Sequence, residues 1–266
     1  MKFVPKELKE TAELSAGQEP WNAKLKNFGI IVASLVGLYL SVALISEYAF
    51  AQISEETEQK LFAFVPFPDA IILADDSRMK KADEIFADLT AHAEIRPLSY
   101  QLRLLDMGES NAFAAPGGWV IVTTGLLDIV TNDTALGFVL AHELGHHHHR
   151  HTLKRIGRNA AVKLTFGLLF GSTDARTLVG RGVDLAELGN SRSSEREADE
   201  FGFRLAFRTF GQADGYFEFF EWLAAERGRG GAAWMNFLNS HPPSAERLDD
   251  LRKLEAELKQ KLPPRK

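Results

Sequence analysis

Cysteine is absent from this 266-residue chain, which excludes a thiol nucleophile and disulfide support and is compatible with any redox compartment. The Gly-x-Ser-x-Gly pattern of the commonest serine hydrolases is also missing. Basic residues form no cluster and the net charge is −5, which argues against a nucleic-acid partner. The chain is 45% hydrophobic, so one sizeable core is expected.

Charge is missing altogether from residues 27–46, an apolar run that would form a helix of about 30 Å, the thickness of a bilayer core. Five lysines precede this run, whereas Lys60 is the one lysine in the twenty residues that follow it. The positive-inside rule then places residues 1–26 in the cytoplasm. We therefore expect a single-pass anchor in a bacterial inner membrane, with the following domain on the periplasmic side.

Alternatives to the anchor remain open. Residues 49–51 (Ala-Phe-Ala) resemble a cleavage site, so a cleaved signal peptide could also export the domain. A buried core helix is a further alternative, while glutamates in the leader disfavour a mitochondrial transit peptide. Ala33, Gly37 and Ser41 have a small-xxx-small spacing that could pair two anchors into a homo-oligomer.

The most informative motif is His-Glu-x-x-His at residues 142–146, a zinc-hydrolase signature. On a helix, His142 and His146 are turned by only about 40° relative to each other, so both rings can bind one metal. Glu143 lies about 100° further round, where it could contact a water at the metal. N-cap candidates at 131–134 and the absence of proline from 133 to 170 predict this helix. The alternative is a His/Glu pair on a solvated surface helix.

A catalytic zinc needs three protein ligands and an open fourth position. Glu195 and Asp199 have the same four-residue spacing within the charged stretch 191–202. One carboxylate could bind the metal while the other accepts the ring N–H of a ligand histidine. By itself this stretch would be typical of a solvated charged helix, but together with the upstream motif it favours a metal site.

Four blocks of the chain resemble the zinc metallopeptidase family that includes HtpX, the CAAX prenyl proteases and the periplasmic BepA-like and LoiP-like enzymes. The blocks follow the order of that family and comprise residues 111–127, 142–146, 191–199 and 240–247. The resemblance implies one zinc ion held by His142, His146 and Glu195. It further implies that Glu143 is the general base and that Asp199 supports the ligands.

The two remaining blocks have candidate roles of their own. Residues 119–124 are predicted to form a strand entered through a turn at 116–118, and 111–115 is the candidate edge for pairing with an extended substrate. An ordinary core hairpin is the alternative. His241 precedes two prolines that could aim its ring at the cleft, where it would donate to a developing oxyanion. It could instead lie in a helix-entry turn with Ser244 as the N-cap.

Five of the eight histidines lie between positions 146 and 151. His147 and His151 have a spacing that could hold a second, weaker metal, although solvated or ligand-supporting histidines are the favoured interpretation. Members of the family that the chain resembles usually carry other residues at 147–149. The role of the histidine run is therefore left open.

The expected fold is α+β, a mainly helical zincin-like metalloprotease domain with a small β-sheet, preceded by one N-terminal transmembrane helix. We divide the chain into a cytoplasmic segment 1–26, the anchor 27–46, a connector 47–64 and a zinc metallopeptidase domain 65–266. Strand-like pieces are expected within 47–76, and a mobile loop near the cleft at 171–182. The other predicted elements are helices at about 77–92, 194–209, 212–227, 231–239 and 244–262, and a strand at 100–106.

These features predict a membrane-anchored zinc endopeptidase whose substrates are unfolded or misassembled envelope polypeptides. Glu143 would activate the zinc-bound water for attack on the peptide bond. One alternative is a non-proteolytic zinc-binding chaperone or quality-control protein of the same fold. Another is a membrane protein whose histidine cluster buffers zinc. A lipid-modified substrate is disfavoured, because a single span cannot build a deep lipid chamber.

Overall fold

The computed structural model describes residues 20–63, 77–92, 94–170, 191–211, 215–217, 220–221, 240–241 and 244–261. Several predictions lie outside these described residues. They concern residues 1–19, the loop 171–182, most of the helices at 212–227 and 231–239, and the two prolines after His241. The elements given below come from the described part of the chain.

An exposed helix, α1, spans Trp21–Ala51 and contains the predicted anchor 27–46 within its 31 residues. At 1.5 Å per residue it is about 46 Å long, more than a bilayer core requires. None of its residues is buried, and in the part of the chain that the structure describes it is the helix long and apolar enough to cross a membrane. The exposed apolar surface is expected of a segment whose solvent is lipid.

A short helix, α2, occupies Glu55–Phe62, so the strand-like pieces predicted within 47–76 are wrong for these residues. The Ser54 hydroxyl caps α2 by accepting a hydrogen bond from the backbone N–H of Thr57, and acidic residues fill the first turn. Both features are typical of a helix N-terminus, and this local signal should have taken precedence over a weak strand pattern.

The rest of the described fold is mainly helical with one three-stranded sheet, as predicted. Its elements are α3 (Ser77–His92), β1 (Gln101–Leu105), β2 (Ala112–Ala115), β3 (Trp119–Thr123), α4 (Thr124–Leu127), α5 (Asp133–His148), α6 (His151–Phe170), α7 (Arg192–Phe210) and α8 (Ala245–Lys261). The strand order is β1-β3-β2, with β1 parallel and β2 antiparallel to β3. Gly117 and Gly118 turn the chain between β2 and β3 with positive φ angles of 85° and 94°.

Helix α5 lies in the middle of the core and is buried without interruption from residue 135 to residue 147. It packs against α3, α7 and the sheet, and its apolar residues belong to the main hydrophobic cluster with those of α3, α7 and α8. A helix buried on all sides has to satisfy every polar side chain within the protein. The histidines and the glutamate of α5 therefore require partners inside the fold.

The chain bends between α5 and α6 at Arg150, whose φ of 58° lies in the left-handed region. Helix α6 is thus a separate helix that follows α5. Helix α6 packs along α1. At this contact the backbone carbonyl of Ser46 lies 2.7 Å from where a Cβ on Gly157 would be, and Arg158 Nη1 lies 3.1 Å from Glu47 Oε1.

Candidate metal centre

Helix α5 brings two imidazoles together one turn apart. The side chain of Asn132 caps the helix by accepting hydrogen bonds from the N–H groups of Thr134 and Ala135 at 2.9 and 3.2 Å. One turn separates His142 from His146, and their Nε2 atoms are 3.1 Å apart. Both rings are buried, so the sequence spacing has become a pair of nitrogen donors inside the protein.

Helix α7 supplies two carboxylates to the same place. It is capped by Ser191, whose hydroxyl accepts from the N–H of Ser194 at 3.1 Å. The Glu195 carboxylate lies 3.5 Å from His142 Nε2 and 3.4 Å from His146 Nε2. Asp199 Oδ1 lies 3.1 Å from the other nitrogen of His142, Nδ1. The structure therefore brings Glu195 to the inner side of the histidine pair and Asp199 behind it.

Two glycines allow α5 and α7 to approach closely enough for these contacts. A Cβ added at Gly202 would lie 2.7 Å from the backbone nitrogen of His142, and one added at Gly145 would lie 2.9 Å from the carbonyl oxygen of Ala198. Neither distance is tolerated by a real methyl group, so any side chain at these positions would separate the helices. The glycines are part of the site because they set the distance between histidines and carboxylates.

The donor atoms fit a tetrahedral zinc ion. Bonds of 2.0–2.2 Å at tetrahedral angles place neighbouring ligand atoms roughly 3.3–3.6 Å apart. The contacts among His142, His146 and Glu195 measure 3.1–3.5 Å. Two imidazoles and a carboxylate are also a usual protein ligand set for catalytic zinc. These three side chains could hold one ion without rearrangement of the backbone.

Glu143 is 1% exposed, yet neither of its carboxylate oxygens has a hydrogen-bond partner among the described residues. The ring nitrogen Nε2 of His241 lies 3.4 Å from Glu143 Oε1. The carboxylate lies within 4.8 Å of donor atoms from three histidines of the site. Glu195 makes the shorter contacts and is the better candidate ligand, and the role of Glu143 as general base stays a prediction.

His241 enters the donor group from the segment before α8. Its Nδ1 atom lies 3.1–3.2 Å from the two Glu195 oxygens and 3.2 Å from His142 Nε2. The ring is buried and touches both Glu143 and Glu195. The predicted role as an oxyanion donor stays a prediction. The distances from its Nδ1 to these donor atoms are close to those between ligands of one zinc ion, so His241 is also a candidate fourth ligand.

A buried arginine to which the sequence analysis gave no role completes the site. Arg247 on α8 is 5% exposed and donates to both oxygens of Asp199, from Nε at 2.6 Å and from Nη2 at 2.7 Å. Its Nη1 lies 3.2 Å from Glu195 Oε2. A sequence signal existed, because Arg247 falls on the same helical stripe as the buried residues Leu251, Leu254 and Leu258.

Protonation in the metal-free site follows from burial and these partners. Burial would lower the pKa of His142, but the nearby Asp199 and Glu195 raise it to about 10. Burial instead dominates at His146, whose pKa is lowered well below its usual value. For Asp199, burial would raise the pKa, whereas the hydrogen bonds from Arg247 lower it. The surrounding imidazoles likewise hold the pKa of Glu195 well below its usual range despite its burial.

The histidine run divides into different roles. His147 Nε2 lies 2.9 Å from the carbonyl oxygen of Trp119 and so ties α5 to β3, and burial lowers its pKa to about 4. His151 instead contacts His146, with 2.8 Å between their Nδ1 atoms. The two rings thus have different partners, which does not favour the less favoured interpretation that His147 and His151 share one metal. The contact of His151 with His146 agrees with the favoured interpretation, in which histidines of the run support a ligand.

The candidate substrate edge, β2, lies at the side of the sheet opposite β1. Because Asn111 O accepts from Thr123 N, the backbone groups of Asn111, Phe113 and Ala115 face β3, and those of Ala112 and Ala114 face outward. The Thr152 hydroxyl of α6 donates to Ala114 O at 3.1 Å. Ala112 is itself fully buried, so its outward groups are covered in this structure.

A helix with two histidines and a glutamate, crossed by a second helix with a glutamate, is the arrangement of zinc-dependent metallopeptidases. Residues 76–255 match the model of peptidase family M48, and the chain belongs to this family.

Individual relatives agree with this assignment. The chain is 26% identical over 216 residues to the mitochondrial metalloendopeptidase OMA1 of Saccharomyces cerevisiae, a match that covers 79% of this chain and 62% of that protein. It is 31% identical over 162 residues to the metalloprotease YcaL of Escherichia coli, covering 59% and 61% of the two chains. For the metalloprotease LoiP of Escherichia coli the identity is 30% over 164 residues, with 59% and 62% covered. The chain thus spans about three fifths of the length of these relatives.

Proposed function

We propose that this chain is a membrane-anchored zinc endopeptidase that hydrolyses peptide bonds of unfolded or misassembled envelope proteins. The observation that carries this proposal is the buried Glu143 carboxylate, which lies beside three zinc-type donors and has no hydrogen bond of its own among the described residues. A buried carboxylate without a hydrogen bond costs stability, so its retention is best explained by chemistry.

His142, His146 and Glu195 would hold the zinc. Zinc bound there would act as a Lewis acid and make a nucleophilic water available near neutral pH. Glu143 would take the proton of the attacking water and return it to the leaving amine, so one carboxylate serves as base and then as acid. Asp199 would fix His142 in the tautomer that presents Nε2 to the metal, since it contacts Nδ1.

His241 would act on the substrate side of Glu143. Its Nε2 atom, 3.4 Å from Glu143 Oε1, is placed to donate to the oxyanion that develops on the scissile carbonyl. For this the ring would have to give up the contact of Nδ1 with Glu195, one of the residues that would hold the zinc. We infer that substrate binding displaces His241 from Glu195.

The substrate would bind as an extended strand along the outer edge of β2 and would have to displace what covers this buried strand. Strand addition recognises backbone more than side chains, so it suits segments that are already unfolded. This is the reason to propose misassembled proteins rather than one folded partner. The anchor 27–46, followed by the connector 47–64 and the domain 65–266, would hold the enzyme on the periplasmic side of the inner membrane.

The test is cleavage of an unfolded reporter protein by the detergent-purified chain, with Glu143→Gln as the comparison at equal zinc content. Glutamine keeps the size of the side chain and cannot accept the proton, so a loss of about 10²–10⁴-fold is expected. Equal cleavage by both forms would refute the role of Glu143. No cleavage by either form, with zinc bound, would instead favour the non-proteolytic chaperone.

A further inference from the structure

Beside the metal centre, the side chains of His149, His151 and Glu197 converge where α5 meets α6. Their donor atoms all lie within 4.8 Å of one another. His151 Nε2 is 2.9 Å from Glu197 Oε2, and the rings of His149 and His151 stack at 5.3 Å with an angle of 16°. The side chain of Glu197 is 50% exposed, so the group can be reached from solvent.

The backbone is shaped to bring these two rings together. Residues two apart on a continuous helix point in nearly opposite directions and cannot share a ligand. Arg150, between the two histidines, adopts the left-handed conformation that non-glycine residues rarely use. Its side chain is held by the carbonyl of Ile53 and by Glu55, which maintains the bend. Strained backbone of this kind persists where the surrounding structure enforces it, often at functional sites.

We propose that His149, His151 and Glu197 form a second, weaker site for a divalent transition metal, with Zn²⁺ as the first candidate. Two imidazoles and a carboxylate suit zinc better than magnesium or calcium, which prefer oxygen ligands. The ion would replace the contact between His151 Nε2 and Glu197 and leave open positions toward solvent. This site shares no residue with the catalytic donor set.

The two metal sites are coupled through the contact between the Nδ1 atoms of His146 and His151. This step rests on the proposed function, in which His146 binds the catalytic zinc through Nε2. Its Nδ1 then carries the proton and donates it to His151 Nδ1 at 2.8 Å, so His151 carries its own proton on Nε2 toward Glu197.

A metal on His151 Nε2 takes the place of that proton. The neutral ring then carries its proton on Nδ1, opposite the Nδ1 proton of His146, and the two donors repel each other. Occupation of the second site therefore weakens the catalytic site, and the reverse holds by reciprocity. The expected consequence is inhibition by excess zinc.

The experiment counts the zinc ions bound by the full chain, prepared in detergent without a histidine tag. The metal-free protein is titrated with Zn²⁺ against a chromophoric chelator, comparing wild type, His149→Gln and the matched control His148→Gln. His148 stacks on Phe201 and belongs to neither donor group. We expect two ions in wild type and in the control but one in His149→Gln. Glu197→Gln, on a different helix, should likewise bind one.

Inhibition is then compared at rising zinc concentration. His149→Gln should tolerate about tenfold more zinc than wild type or the control, in line with the effect of residues that support metal ligands. A single ion in wild type, or two ions in both His149→Gln and Glu197→Gln, would overturn the second site and leave the catalytic metal intact. No zinc in any form would overturn the proposed function as well.

Discussion

Replacing Arg247 by methionine is expected to destabilise the metal-free protein far more than an ordinary loss of a surface charge. The guanidinium makes two short hydrogen bonds to Asp199 and a contact of 3.2 Å to Glu195, all of them buried. Removing one partner of a buried pair leaves an uncompensated charge, which costs about 3–5 kcal/mol. Methionine keeps much of the side-chain volume, so the change reports mainly on charge.

For a domain of this size, 1 kcal/mol shifts the melting temperature by about 2–4 °C, so Arg247→Met should melt about 6–20 °C below wild type in chelator. Zinc supplies positive charge beside Glu195, and the difference should shrink when the protein is loaded. The assay is a thermal unfolding series in one detergent, with chelator and with zinc.

The matched control is Arg252→Met on the same helix, α8. Arg252 is 53% exposed and pairs with Glu221, which is 57% exposed, so its loss should cost at most about 1 kcal/mol. If Arg247→Met and Arg252→Met melted at the same temperature in chelator, the view of Arg247 as the counter-charge of the buried carboxylates would be wrong.

Three further predictions concern the helix crossing, protonation and the bend. Gly202→Ala should separate α5 from α7 and weaken zinc binding by about 10–100-fold, as measured by competition with a chelator. The control is Gly108→Ala, whose added methyl group meets no atom within 4 Å, so this variant should bind zinc normally. Burial would lower the pKa of His142, but Asp199 and Glu195 raise it to about 10. In chelator, the protonated ring should therefore contribute fully to stability below about pH 6.5, and this contribution should be lost as the pH rises toward 10. A flat melting temperature over that range would count against this, and the zinc-loaded protein should lack the effect. Arg150→Gly should be about 1 kcal/mol more stable than Arg150→Ala in urea unfolding, because both lose the ion pair and glycine alone accepts the left-handed φ without strain; equal stabilities would argue against strain at the bend.

The sequence predicted the parts of the site that depend on spacing within one helix. His142 with His146, and Glu195 with Asp199, are each four residues apart, and local helical geometry decides which face they share. The helix-capping residues before α5 and α7 are equally local. The fold class was predictable for the same reason, since the apolar run 27–46 and the helical periodicities are local patterns.

Contacts between distant segments were not predictable in this way. Arg247 on α8 binds Asp199 on α7, and in the sequence only the position of Arg247 on the apolar stripe of α8 indicated that it is buried. The partners of His151 depend on the bend at Arg150, and an arginine carries no sequence signal for a left-handed conformation. For that reason the sequence left the role of the histidine run open.

The contact between α1 and α6 sets the distance between the candidate metal centre and the end of α1. Helix α6 begins at His151, beside His146, and meets the end of α1 around Gly157, six residues later. Along a helix that is about 9 Å. With α1 in a bilayer, the candidate metal centre would lie at a fixed, short distance from the lipid surface. If the chain cleaves polypeptides as proposed, it would cleave only segments that come within that distance of the membrane, so the anchor would restrict which substrates reach the active site.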